Sequence, residues 1–294
     1  MSFDIIVIGD VVSELCLDAH SSGGSEDSYI VSTLQERIGG DALDIGMVCA
    51  SGGLSCSLVS AIGIDASSVL DCLDRSKIDY SHLIVCDSKT GKKIKVIVDS
   101  ASTDLTYEGA SSHIFDYGID KDFFSDSRLI HLTTFSPERY DAIQMEKRPH
   151  CTCQYSPGTD IGEYPEDIGV LFMESSDAMT LSGEDECCEA VEALVPICTC
   201  PTVVADRGRG AYVISDKSAR SISMVPAVSY DASRFYSSFV GAFLSRYVKT
   251  NNLRSSASYG LSYQYFSYTD SCRVVGRDSL EIESVMRRIA RMNV

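Results

Sequence analysis

Residues 230–244 read Tyr-Asp-Ala-Ser-Arg-Phe-Tyr-Ser-Ser-Phe-Val-Gly-Ala-Phe-Leu. The second half, Ser238 to Leu244, reads as a tightly packed helix: Gly241 and Ala242 sit among Phe239, Val240, Phe243 and Leu244, small residues where a neighbour must come close. The first half is crowded instead with Arg234, Phe235 and Tyr236, a bulky opening for a helix built for close contact.

Around this stretch the chain alternates short apolar runs with helical patterns. Runs suited to strands buried on both faces occur at residues 4–9, 57–62, 129–132, 178–181, 202–205 and 211–214. Helical patterns occupy 42–52, 66–75, 137–147, 184–194 and 233–250, and a terminal helix spans 280–292 after a turn-rich segment at 267–277. This rhythm predicts an α/β fold, a doubly wound, mainly parallel sheet flanked by helices. Two segments break it. Residues 11–38 are extended and polar around a Ser-Ser-Gly-Gly-Ser-Glu-Asp turn, and Gly91 to Val98 alternate lysines with Ile and Val. They predict a small β-sheet lid, with strands from about 11–38 and 88–110, on a single domain covering 1–294.

Lys and Arg total 25 against 42 Asp and Glu among 294 residues, a formal charge of −17, so phosphate backbones and anionic membranes are repelled. The clusters Lys92-Lys93-x-Lys95 and Arg287-Arg288-x-x-Arg291 are too short to reverse that field and read as solvated faces. The N-terminal MSFDIIVIGD lacks a basic segment and a long apolar core, and no run approaches the roughly 20 residues of a membrane span, so a cytoplasmic location is expected. Of the twelve cysteines, several (Cys16, Cys49, Cys56, Cys72) sit within apolar runs, where a free thiol behaves as a small hydrophobe. None of the pairs 151/153, 187/188 and 198/200 has structural-zinc spacing, so no dedicated metal site is expected.

Three features stand in order: Gly9-Asp10 and Glu14 after the first strand; Gly39-Gly40-Asp41-Ala42-Leu43-Asp44 opening a helix, with Gly63-Ile-Asp65 beyond the next strand; and Phe239-Val-Gly-Ala-Phe-Leu244. Jointly they resemble the PfkB, or ribokinase-like, family over nearly the whole chain. The resemblance implies transfer of the ATP γ-phosphate, with Mg²⁺, to a hydroxyl of a sugar, nucleoside or related alcohol. The family's Gly-Ala-Gly turn and base Asp fall on Arg234-Phe235-Tyr236 and Ser237. Bulky side chains stand where glycines let a backbone close on a phosphate, and a serine is no base near neutral pH. The Asn-x-x-Glu motif that orders Mg²⁺ and phosphate reads Ser182-Gly-Glu-Asp185, an Asp-Pro pair reads Ser156-Pro157, and Asp206-Arg207-Gly208-Arg209-Gly210 keeps little of a Thr-x-Gly-x-x-Gly turn.

These positions are the candidate site. Glu14, Gly39, Gly40 and Asp44 would bind a polyol, carboxylates being good hydroxyl acceptors, or serve as surface acids, caps and a plain helix start. Asp231 would be a displaced base or a helix N-cap. Arg234 would bind phosphate, or with Tyr236 plug the site. Residues 206–210 would touch a nucleotide or form only a charged hairpin turn. Because base, anion hole and metal motif all depart from the pattern, the expectation is a kinase of impaired activity. An active kinase with substitute residues and a non-catalytic ligand-sensing or protein-interaction module are the alternatives, and exposed lid strands invite a homodimer.

Overall fold

The computed structural model describes residues 2–22, 28–98, 101–116, 121–125, 127–143, 150–225, 235–269 and 279–293. The central sheet begins with β1 (Ile5–Ile8), β4 (Cys56–Gly63), β5 (Leu83–Cys86), β8 (Leu129–Leu132), β9 (His150–Gln154), β10 (Ile168–Glu174) and β11 (Thr202–Asp206), all parallel. Antiparallel β12 (Gly210–Ser215) and β13 (Ser218–Ser223) complete the order β13-β12-β11-β10-β9-β8-β1-β4-β5. β2 (Val12–Ser21), β3 (Tyr29–Gly39), β6 (Lys92–Val98) and β7 (Ala101–Tyr107) form a separate sheet in the order β3-β2-β6-β7, which is the lid.

Helices α1 (Asp41–Ser51), α2 (Ser67–Asp74), α3 (Lys121–Ser125), α4 (Pro137–Ala142), α5 (Ser175–Ser182), α6 (Cys187–Leu194), α7 (Phe235–Thr250), α8 (Leu253–Thr269) and α9 (Ser279–Met292) connect and cover the strands. The strand periodicity of two divides the core between the faces. On β1, Ile5 and Val7 join the cluster containing Leu43, Phe239, Phe243 and Leu261, whereas Ile6 and Ile8 join Phe124, Tyr140 and Leu194 on the other side. Burial on both faces is why β1 reads as an unbroken apolar run.

The strand expected at 178–181 is a correction: those residues are the body of α5, and the strand of that region is β10 immediately before it. A four-residue apolar run carries no period that separates a strand from a helix.

The small residues of α7 do meet a neighbour. A Cβ on Gly241 would lie 2.8 Å from Val48 Cβ and 2.9 Å from the Ile45 carbonyl oxygen, so α1 rests on α7 at backbone distance. Cys49 Sγ donates to the Gly241 carbonyl at 3.3 Å, and Lys249 Nζ donates to that of Gly52 at 2.9 Å.

Candidate active site

β1 lies between β4 and β8, so the chain's strand order reverses at β1 and leaves a crevice beyond its carboxyl end, where open α/β sheets take their ligands. Gly9 and Asp10 leave β1 there. Gly40, with φ 105°, begins α1 against that backbone; a Cβ would lie 2.4 Å from the Asp10 carbonyl oxygen, so the close approach demands glycine. Glu14 of β2 accepts the Gly40 N–H at 3.0 Å and is ion-paired with Arg37 of β3. Arg37 also donates to both oxygens of buried Asp44, at 3.1 and 3.0 Å.

Glu14, Gly39, Gly40 and Asp44 therefore converge, and Arg37, which the sequence did not single out, stands between the two carboxylates. Burial raises the Glu14 carboxyl above its ordinary range, and the Arg37 guanidinium only partly offsets this.

Lys93 of β6 is in register with Glu14 and so lies on the same lid face. Its Nζ is 3.9 Å from Asp10 Oδ2. Burial works to lower the ammonium pKa, but Asp41, Asp10, Glu14 and Asp44 together hold it above its usual value. Burial likewise raises the Asp10 carboxyl, with Lys93 pulling the other way. Gly63 and Asp65 act at the root of the lid: the Gly63 N–H donates to Thr90 Oγ1 at 3.1 Å, and Asp65 Oδ1 accepts from both the N–H and the hydroxyl of Thr90 at 2.8 Å. A cavity of about 310 Å³ lies at the root of the lid, lined by Arg37, Ser13, Lys92, Asp65 and Ser68 among others.

At the head of α7, Ser237 is buried and its Oγ donates to Asp41 Oδ1 at 2.7 Å, joining residues 196 positions apart. Phe235 is the first residue of the helix, and half-buried Tyr236 packs against the core that contains Phe239. Burial pushes the Tyr236 phenol well up, and Glu174, Asp177 and Asp41 push it the same way. Asp231 and Arg234 lie outside the described residues.

Glu174 and Asp177 mark the other end of the crevice. Glu174 ends β10; the Glu174 N–H donates to Asp177 Oδ2 at 3.1 Å, and its carboxylate takes a 3.1 Å contact from Arg207. Burial raises both carboxyls. Asp206 and Gly210 pair across the β11–β12 hairpin, Gly208 takes its turn at φ 77°, and buried Asp206 has its carboxyl raised by burial. Ser182 closes the opposite end of α5, accepting the Glu184 N–H at 3.2 Å, and exposed Asp185 follows, about 10 Å along the helix axis from the strand tips. The acid pair that shares space with α7 is thus Glu174-Ser-Ser-Asp177, whose i, i+3 spacing is that of an Asn-x-x-Glu motif, with an acid at both positions. Among the described residues, no group of three or more His, Cys, Asp or Glu is placed to hold a metal ion.

Comparison with known proteins agrees with this architecture. Residues 2–263 match the pfkB family carbohydrate kinases, and the chain belongs to that family. A nucleoside kinase of Methanothermobacter thermautotrophicus is 25% identical over 138 residues, 46% of this chain; the match spans about half of that relative, 45%. The Methanocaldococcus jannaschii nucleoside kinase has the same fold, with TM-score 0.78 and 18% identity over 98% of this chain and 99% of that one. So does a Thermotoga maritima ribokinase, with TM-score 0.79 and 17% identity over 97% and 99% of the two chains. An Arabidopsis thaliana ribokinase complexed with ribose and ATP gives 0.78 and 15% over 98% and 99%. The protein is a pfkB-family, carbohydrate- or nucleoside-kinase-like chain with a ribokinase-like fold. Among the described residues, no helix is long and apolar enough to cross a membrane.

Proposed function

We propose that the protein is a small-molecule kinase with attenuated turnover, which passes the γ-phosphoryl group of ATP to a hydroxyl of a sugar or nucleoside held between lid and sheet. The observation that carries this reading is the head of α7, where Tyr236 and Ser237 replace an open turn and a carboxylate beside Glu174, Asp177 and Asp41. The acceptor end is assembled: Glu14 and Asp44, fixed by Arg37, offer oxygens to ligand hydroxyls, and Lys93 brings a lid cation to the same place. The relatives named as nucleoside kinases and the ribokinase bound to ribose and ATP support the substrate class and the nucleotide.

The donor end is the weak one. A phenol occupies the first turn of α7, where phosphate oxygens need backbone N–H groups, and loss of such donors costs about 10²- to 10³-fold. Mg²⁺ binds through one or two carboxylates plus nucleotide phosphates, and Glu174 and Asp177, two acids whose carboxyls burial disfavours as anions, fit that donor set. The ion would neutralise charge on the β- and γ-phosphates. The free thiols of the described cysteines fit a reducing cytoplasm.

A second copy of the chain is the proposed partner at the lid. Glu14, Arg37 and Lys93 share the face toward the site, so Leu17, Leu34, Val96, Leu105 and Tyr107 lie on the outer face. Leu34 is 59% exposed and Leu105 54%, more bare apolar surface than a solvated sheet face usually carries.

The test follows ADP release from purified protein with Mg-ATP and a panel of sugars, nucleosides and polyols. Acceptor-dependent turnover below about 0.1 per second is expected, with Tyr236→Gly raising kcat at least about tenfold. Wild-type turnover of about 10 per second or more refutes the attenuation. No acceptor-dependent release from either protein refutes the kinase reading.

A further inference from the structure

We propose that Asp41 supplies the proton acceptor that position 237 lacks, working through the Ser237 hydroxyl; the inference rests on the kinase reading above. Ser237 Oγ already donates its hydrogen to Asp41 Oδ1 at 2.7 Å. Among the described residues that oxygen accepts no hydrogen bond from a side chain, so its lone pairs are available to a ligand hydroxyl. A serine alone is no base, but a serine bonded to a carboxylate passes a proton on to it.

Asp41 opens α1 and Ser237 lies in the first turn of α7, so each comes from the start of a rigid element. The Cys49–Gly241 hydrogen bond and the close Gly241 contact hold the two helices together, and the pair is thereby positioned by packing rather than by a loop. Asp41 also acts on Lys93 of the lid and on the Tyr236 phenol, which sets it between the acceptor end of the crevice and the donor end.

In the step itself, the acceptor hydroxyl oxygen attacks the γ-phosphorus of ATP. The bond from that phosphorus to the bridging oxygen breaks, and ADP leaves with the electron pair. The hydroxyl proton moves to Ser237 Oγ while the Ser237 proton moves to Asp41 Oδ1. After the product departs, Asp41 returns its proton to solvent, and the pair is reset.

Asp41→Asn keeps the hydrogen bond, because the carbonyl of the new amide still accepts from Ser237, while the basicity and the negative charge of the carboxylate are lost. The expected result is a fall in kcat of about 10²- to 10⁴-fold, with calorimetric affinity for a non-hydrolysable ATP analogue not weakened. Ser237→Ala should fall comparably. The exchange Asp41→Asn with Ser237→Asp moves the carboxylate to the other helix and should restore kcat to within about tenfold of wild type. Wild-type turnover retained by Asp41→Asn overturns the relay and leaves the kinase reading standing, as does an exchange variant that folds, binds the analogue and stays as slow as Asp41→Asn. A wild-type protein without acceptor-dependent ADP release overturns both.

Discussion

Replacing His131 with Leu should flatten the acid limb of the stability curve. His131 lies on β8 and is fully buried, its Nδ1 2.9 Å from Thr152 Oγ1 and its ring edge-on to Phe172 at 5.8 Å between centroids. Nε2 has no hydrogen-bond partner among the described residues. Burial depresses the imidazole from 6.5 to about 3. Between those values the unfolded chain binds a proton that the native protein does not, so stability falls as the pH drops below 6.5. At about 1.4 kcal/mol per pH unit, the loss attributable to His131 at about pH 5 is roughly 2 kcal/mol. The raised carboxyls of Asp10, Glu14 and Glu174 act in the opposite sense, losing stability as pH rises, but both proteins share them and they cancel in the comparison. Urea unfolding followed by circular dichroism at about pH 7 and about pH 5 should show wild type losing roughly 2 kcal/mol more than His131→Leu. Parallel losses in the two proteins would refute the reasoning, since they would mean that the native site accepts the proton.

Arg37→Met leaves Glu14 and buried Asp44 without the cation that pairs them; a loss of about 1.5–3 kcal/mol in urea unfolding is expected, partly recovered by adding Asp44→Asn, and no recovery would contradict the pairing. Gly241→Ala forces a Cβ to within 2.8 Å of Val48 Cβ and 2.9 Å of the Ile45 carbonyl oxygen, which should cost about 1–3 kcal/mol, and an unchanged melting temperature would show that α1 can move away. Leu34→Glu combined with Leu105→Glu should convert a dimer to a monomer in sedimentation velocity; a wild type that is monomeric at tens of micromolar rules out the lid dimer.

The fold class was legible because its signals are local. Ile5 to Ile8 announce a doubly buried strand, the alternation from Lys92 to Val98 a one-faced one, and Gly241-Ala242 a close helix crossing. The candidate site was only half legible. Glu14 and Asp44 could be named from the residues beside the glycine pair, but Arg37 and Lys93 looked like ordinary charges on a lid strand, and only strand register brings them to the same face. Asp41 reads as an acid in the first turn of a helix, where the dipole favours one anyway, so nothing local marks its contact with Ser237. Glu174 and Asp177 were hidden by the mistaken strand at 178–181, which displaced the strand end and the helix start that they occupy.

The tight crossing of α1 and α7 bears on how such a protein can change over descent. Because backbone contact fixes the two helices together, positions 41 and 237, 196 residues apart, are two addresses for one point in space. A negative charge can be lost at one address and written at the other without rebuilding the crevice around it. The heritable unit is then the occupied point rather than the residue, and a missing aspartate at one alignment column is no measure of whether its charge has gone.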